Sequence, residues 1–213
     1  NKKINRQNFH RGSISTDYRQ SMLVDNNGDS QDTMSLLSTD LNARGSFTQS
    51  DNIFDYRVSV GRYQDLQSDS DKSHNQIRYL NFSAKTDDNL YQMKFGRQRS
   101  RGKGIFGRFD GLVLSSEWQP GLQFNIAAGY PVASSKITSI DPERQFYSLS
   151  LDVNDLWSGL DFSVFYFDQT INDLTDRRAI GGEFKYHQKN ASYFGLVDYD
   201  IFFNQLNAAM LSG

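Results

Sequence analysis

The chain contains no cysteine, which excludes disulfides, thiolate nucleophiles and cysteine-bound metals. It has only three prolines among 213 residues, so little interrupts long backbone ladders. Neither charge sign is in marked excess. The net charge is -2 and the pI about 5.9, and no global basicity points to nucleic acid. No stretch approaches the roughly 20 apolar residues that a membrane helix needs. No apolar run follows Asn1-Lys2-Lys3-Ile4-Asn5, so no signal peptide opens the segment, which would be mature or truncated if exported. The three histidines, His10, His74 and His187, lack the spacing of a zinc motif. No Gly-x-Ser-x-Gly nucleophile elbow is present, and nothing else in the sequence suggests an enzyme or a cofactor.

A hydrophobic fraction of 37% and a mean hydropathy of -0.64 describe a water-soluble protein only if averaging is fair. A transmembrane strand needs about 9–11 residues and turns apolar side chains outward at every second position, so averaging hides it. Period-two alternation is the dominant pattern here. Leu37, Thr39, Leu41, Ala43, Gly45 and Phe47 alternate with Ser38, Asp40, Asn42, Arg44, Ser46 and Thr48. Phe54, Tyr56, Val58 and Val60 alternate with Asp55, Arg57, Ser59 and Gly61. The same holds for Leu80-Phe82-Ala84, Leu122-Phe124-Ile126 and Tyr147-Leu149-Leu151. Helical spacing fits none of these.

Tight turns are expected at Ser50-Asp51-Asn52, Asp87-Asp88-Asn89, Gln119-Pro120-Gly121, Trp157-Ser158-Gly159 and Gln188-Lys189-Asn190, all built from turn-forming residues. Longer polar connections are expected near 25–33, 65–75, 97–107, 133–143 and 169–177. Strict alternation of short and long connections, between strands of about 10–14 residues, fits an outer-membrane barrel with short periplasmic turns and long external loops. Aromatics gather at strand ends: Tyr56, Tyr91, Trp118, Trp157 and Tyr186 near the short turns, and Tyr63, Tyr79, Tyr130, Tyr147 and Tyr166 near the long loops. Two such belts match the preference of amphipathic rings for the headgroup level. The reading is a single all-β domain over 1–213, an antiparallel up-and-down transmembrane barrel of about twelve strands. Because Gly213 falls inside a strand pattern, the expectation is part of a larger barrel, since an open edge in lipid is costly.

The stretches Phe95-Gly96-Arg97-Gln98-Arg99 and Gly104-Ile105-Phe106-Gly107-Arg108-Phe109-Asp110-Gly111-Leu112 resemble Gram-negative porin-like barrels, where a Gly-Arg-Gln element enters a loop and Asp-Gly opens the next strand. Ala128-Gly129-Tyr130-Pro131-Val132, Asp176-Arg177-Arg178-Ala179-Ile180-Gly181 and Phe194-Gly195-Leu196-Val197-Asp198-Tyr199-Asp200 look like strand ends of uncharacterised outer-membrane proteins. Some proteins of that kind carry a periplasmic tetratricopeptide-repeat region before the barrel. The resemblance implies the bacterial outer membrane, contact with lipid and lipopolysaccharide, and room for periplasmic or surface protein partners. The transported solute is not implied.

Arg97, Arg99, Arg101, Lys103 and Arg108, broken by Gly96, Gly102, Gly104 and Gly107, are candidates for an anion-attracting constriction if their loop folds into the pore. The competing reading is a solvated loop or arginines paired to wall acids. Asp40, Arg44, Asp55, Arg57, Lys85, Asp152, Asp161, Glu183, Lys185 and Asp198 alternate with the apolar positions and should face away from lipid, where a mid-bilayer cation costs about 2–4 kcal/mol. They line either a hydrated mixed-charge channel or a plugged, salt-bridged interior. The oxygen-rich segments 65–71 and 25–29 only weakly suggest calcium, because the latter misses the EF-hand spacing. His187, beyond Lys185 and Glu183 on one strand, reads as wall rather than catalyst, and Asp198 and Asp200 share a strand face. The leading function is a porin-like channel. The alternatives are the barrel of an export or assembly complex, and a soluble or surface-displayed β-sheet binding protein.

Overall fold

The computed structural model describes residues 8–24, 26–67, 73–86, 88 and 90–213, without the side chains of 31–33, 101 and 106. Twelve strands follow one another: β1 (Phe9–Val24), β2 (Ser30–Gln49), β3 (Asn52–Asp65), β4 (His74–Thr86), β5 (Tyr91–Gly102), β6 (Ile105–Gln119), β7 (Leu122–Val132), β8 (Arg144–Trp157), β9 (Leu160–Ile171), β10 (Leu174–Gln188), β11 (Ala191–Asp200) and β12 (Gln205–Ser212). Each pairs antiparallel with its sequence neighbours in one sheet ordered β1 to β12. This is the up-and-down all-β arrangement expected. Most strands are long enough to cross a bilayer, which takes about 9–11 tilted residues. Among the described residues β1 and β12 are not paired to each other.

Burial follows the pleat, with the polarity of a soluble protein reversed. On β8, Phe146, Ser148, Ser150 and Asp152 are buried, while Tyr147, Leu149 and Leu151 are exposed. On β7, Asn125 and Ala127 are buried while Phe124 and Ile126 are exposed. The register carries this division from strand to strand, since Ile126 lies opposite Leu114 and Leu149. An apolar outer band thus runs from Leu41 on β2 to Met210 on β12. Water-exposed apolar patches rarely exceed a few hundred Å², so this band belongs against lipid. A soluble sheet would have buried it.

Two of the expected long loops are instead strand. Strands β5 and β6 continue to a two-residue turn at Lys103 and Gly104, with φ of 62° and 76°. Strands β9 and β10 meet at Asn172 and Asp173, with φ of 50° and 63°. Two successive positive φ values give the turn whose twist matches a β-hairpin. Charge and glycine at 97–107, and polar and charged residues at 169–177, therefore mark extended hairpins rather than loops. β2 begins at Ser30, inside the expected 25–33, and β4 at His74, inside the expected 65–75, while 133–143 lies between β7 and β8.

Candidate functional site

The β5–β6 hairpin does not stay in the wall. Pairing of β4 with β5 ends at Leu80 and Arg97, and pairing of β6 with β7 begins at Arg108 and Val132. Residues 98–107 pair only with the other arm of the hairpin. The departure occurs at Gly96, whose φ of +100° is open to glycine and strained for other residues. A Cβ there would lie 2.2 Å from the Leu80 carbonyl oxygen, which no side chain tolerates. A peptide carbonyl and a backbone twist together demand glycine at this one position.

The hairpin crosses the inner face and docks on strands β8 to β10. The Lys103 ammonium pairs with Asp152, and its backbone N–H donates to Glu183 at 2.5 Å. The Lys103 carbonyl accepts from the Ser148 hydroxyl at 3.1 Å, and Arg177 donates to the Gly104 carbonyl at 3.0 Å. Gly104 lies against Phe165 and Phe167, and a Cβ would come within 2.8 Å of the first ring. Beneath the tip, Phe109 of the hairpin meets Phe146 edge-on at 5.1 Å, and Phe146 stacks on Phe167 at 5.5 Å. With Ala127, Phe165 and Leu196 these form a buried inner cluster. Each buried phenylalanine contributes about 1.5–3 kcal/mol of burial free energy, enough to hold a hairpin that would otherwise be solvated.

Around the docked tip the inner face divides by charge. On β1 to β6 it carries cations. Arg11, Arg44 and Arg57 occupy one cross-strand row, an arrangement that like-charge repulsion disfavours. The Arg57 guanidinium lies 3.7 Å over the Tyr79 ring, and Lys94 is within electrostatic reach of it. Arg108 feels the charges of Arg78, Arg97 and Arg99 and donates to the Arg78 carbonyl at 3.2 Å. Among the described residues Arg57, Lys94, Arg99 and Arg108 pair with no carboxylate, whereas Arg78 binds Asp40 at 2.7 Å.

Strands β8 to β11 carry acids, most of them engaged. Asp152 accepts from Asn125 at 2.8 Å and from Ser163 at 2.7 Å, besides Lys103. Asp198 is 1% exposed, pairs with Arg177 and accepts from Asn207 at 3.0 Å. Asp200, on the same face as expected, accepts from the Phe202 and Phe203 amides at 2.9 Å. Glu183 is buried, while Asp161 and Lys185 are exposed. Recesses of about 290 Å³ and 350 Å³ flank the hairpin. The first is lined by Lys94, Arg99 and Lys103 with amides and hydroxyls. The second is lined by Asp152, Asp161 and Glu183 with Lys103 and Lys185.

Not every expected residue falls on this face. Arg97 is only 4% exposed, forms a two-pronged pair with Asp110 at 2.8 and 2.6 Å, and donates to the Ile137 carbonyl. Its register neighbours Phe95 and Leu112 are outward, so it ties the outer side of the wall and lines nothing within. The Arg101 side chain lies outside the described residues. Asp40, Arg44, Asp55, Arg57 and Lys85 alternate with the outward apolar positions of β2 to β4, as expected. Tyr63 and Tyr79, expected at the membrane interface, turn inward instead. Tyr63 stacks on His74 at 5.0 Å and accepts from Arg78 at 2.9 Å, while Tyr79 holds Arg57. Plain alternation accounts for both: Tyr63 shares its face with Arg57 and Ser59 on β3, and Tyr79 lies opposite Ser59, next to outward Leu80 on β4. Tyr91, Trp118, Tyr147 and Trp157 are well exposed at strand ends, and Tyr186 stacks on exposed Tyr193. Of the segments weighed for calcium, Asp25 and 68–71 lie outside the described residues. Among the described residues no three metal-ligating side chains come together.

Arg177, Phe146, Phe165 and Phe167 were not among the residues singled out by sequence. A signal existed for the last two: Phe162-Ser163-Val164-Phe165-Tyr166-Phe167 is apolar on both faces, as a strand must be when something packs inside the barrel as well as lipid outside.

No protein-family model matches the chain, and no curated protein is significantly similar to it. Solved structures with a similar strand arrangement include OccK9 (OpdG) of Pseudomonas aeruginosa, at 13% identity and a TM-score of 0.38, covering 91% of this chain and 66% of that one. OccK2 (OpdF) of the same organism gives 12% identity and a TM-score of 0.37, covering 90% and 64%. A BenF-like porin from Pseudomonas fluorescens Pf-5 gives 12% and 0.43, covering 95% and 69%. The chain thus spans about two thirds of the length of these structures, slightly less for the first two. Likeness at this level bears on no residue role.

Proposed function

We propose that the chain forms, or forms part of, a porin-like channel of the bacterial outer membrane, in which the β5–β6 hairpin narrows the passage and favours anionic solutes. The observation that carries this reading is the docking of Lys103 and Gly104 across the inner face. A folded-in element between charged walls is how a wide barrel acquires a small, selective cross-section. The apolar outer band supports the membrane location, and the asymmetry of the remaining connections supports long-loop ends outside.

The sign of the preference follows from which charges are free. Acids on β8 to β11 spend their lone pairs on Lys103, Arg177, Asn125, Ser163 and backbone amides. Arg57, Lys94, Arg99 and Arg108 have no carboxylate partner among the described residues, so the field across the opening is positive. Two unit charges about 4 Å apart repel by roughly 1 kcal/mol in water and 4 kcal/mol at an effective dielectric of 20. Aligning Arg11, Arg44 and Arg57 is therefore costly unless an anion offsets it in passage. Nothing in this arrangement calls for catalysis, and the chain is read as a channel rather than an enzyme. Single-channel recording of the purified protein in a planar bilayer tests the proposal. Discrete conductance steps are expected, and a persistently silent, correctly folded protein would overturn it.

A further inference from the structure

The departure of the hairpin has a consequence on the opposite face of the sheet. Once β5 leaves the wall after Arg97, the loop-side end of β4 loses its neighbour. The 133–143 connection fills part of the vacancy: the Ile77 amide donates to the Ser135 carbonyl at 2.8 Å, and Arg97 donates to the Ile137 carbonyl. Between this overhanging connection and the strands remains a groove of about 750 Å³. Leu80, Phe95, Leu112, Ala128, Ile140 and Tyr147 line it. Five of these alternate onto the outer, apolar face, and all six are exposed. The groove therefore opens toward lipid, continuous with the membrane-facing band.

In hydrocarbon such a recess has few occupants. Its polar lining is confined to Arg97, Asp110, Thr138, Gln145 and Thr170, and the rest is apolar or aromatic, so an empty recess forfeits dispersion contacts along most of its lining. An acyl tail satisfies the walls. Two strands from groove-lining Tyr147, across Asp168, stands an outward cation. Arg178 is 39% exposed and donates to Asp168 at 2.5 Å. Asp168 also accepts from Tyr166, whose ring lies 6.4 Å from that of groove-lining Tyr147. Asp168 leaves its second oxygen without a hydrogen-bond partner, and the outward guanidinium keeps donors for a phosphate. Because the groove sits at the end with the longer connections, its leaflet is the outer one.

We infer that this groove seats one acyl chain of lipid A, with a lipid A phosphate at Arg178. The inference rests on the membrane orientation proposed above, but not on conduction. Its test is native mass spectrometry of the full chain after exchange from vesicles containing equal amounts of lipid A and phosphatidylethanolamine. Ala128→Trp fills the groove from its floor, Ile140→Glu places a carboxylate at its mouth on the connection, and Leu151→Trp adds the same bulk to the outer face away from it. The wild type and Leu151→Trp should retain one lipid A per chain, with retention falling at least tenfold in Ala128→Trp and Ile140→Glu. Ile140→Glu stands alone as the test if Ala128→Trp loses the heat-shifted gel mobility of a folded barrel. The inference is overturned if the wild type holds no lipid A, if both groove variants hold it as well as the wild type does, or if phosphatidylethanolamine is retained equally. Retention of lipid A by a silent protein would overturn the channel reading alone, and a conducting protein without lipid A would overturn the groove alone.

Discussion

The two halves of the inner face obey different rules. On β1 to β6, cations stand in rows with aromatic and hydroxyl neighbours and few acids, so their charge is available. On β8 to β11, acids are more deeply buried and almost all are engaged. Asp152, Asp198 and Asp200 are 4%, 1% and 2% exposed, whereas Arg44, Arg57 and Arg99 are exposed. The difference teaches that counting charges around a lumen misleads. The acidic half is a docking surface that grips Lys103 and Arg177, and in the proposed channel the basic half is what a passing solute would meet.

The comparison breaks most completely if the hairpin never enters. Gly96→Val combines an unfavourable positive φ with a side chain driven into the Leu80 carbonyl. It should cost about 3 kcal/mol or more, read as a lowered urea midpoint in detergent micelles and loss of the cold-SDS mobility of a folded barrel. Next comes the acidic grip itself. Asp198→Asn neutralises the 1% exposed carboxylate that pairs with Arg177, and should cost about 3 kcal/mol by the same measure. Lys103→Ala removes a contact that is 38% exposed on the lysine side, so a smaller loss of about 1–2 kcal/mol is expected. That variant should also show a larger, noisier single-channel conductance as the tip loosens. The smallest effect belongs to Asp161→Asn. Its carboxylate is exposed and caps the Asp155 amide at 3.0 Å, so stability should change by less than about 0.5 kcal/mol and anion preference should rise only slightly.

The strands were legible because the outer face must be apolar at every second residue wherever lipid touches it, as at Tyr147, Leu149 and Leu151. The aromatic ends were legible for the same reason. The hairpin was half legible. Its charges and glycines stood out, but the same composition describes a solvated loop, and only the two positive φ values at Lys103 and Gly104 separate the cases. Asn172-Asp173 was more readable, since Asn and Asp tolerate the left-handed region that such a turn requires. Arg97 was misassigned because it was read as part of a loop, although alternation from outward Phe95 puts it on the outer side, where Asp110 and the Ile137 carbonyl hold it. Tyr63 and Tyr79 were misassigned because closeness to a strand end was weighed above parity, which already puts both on the inner face with Arg57 and Ser59. The inner phenylalanines needed the hairpin to be in place before their parity made sense.

The most direct test of the charge-divided passage is the zero-current potential of the purified protein in a planar bilayer under a tenfold potassium chloride gradient. With the basic half free and the acidic half engaged, the potential should have the sign of chloride preference, and Arg99→Glu combined with Arg108→Glu should reverse it. A wild-type channel that prefers potassium, or a double variant with unchanged selectivity, would contradict the account.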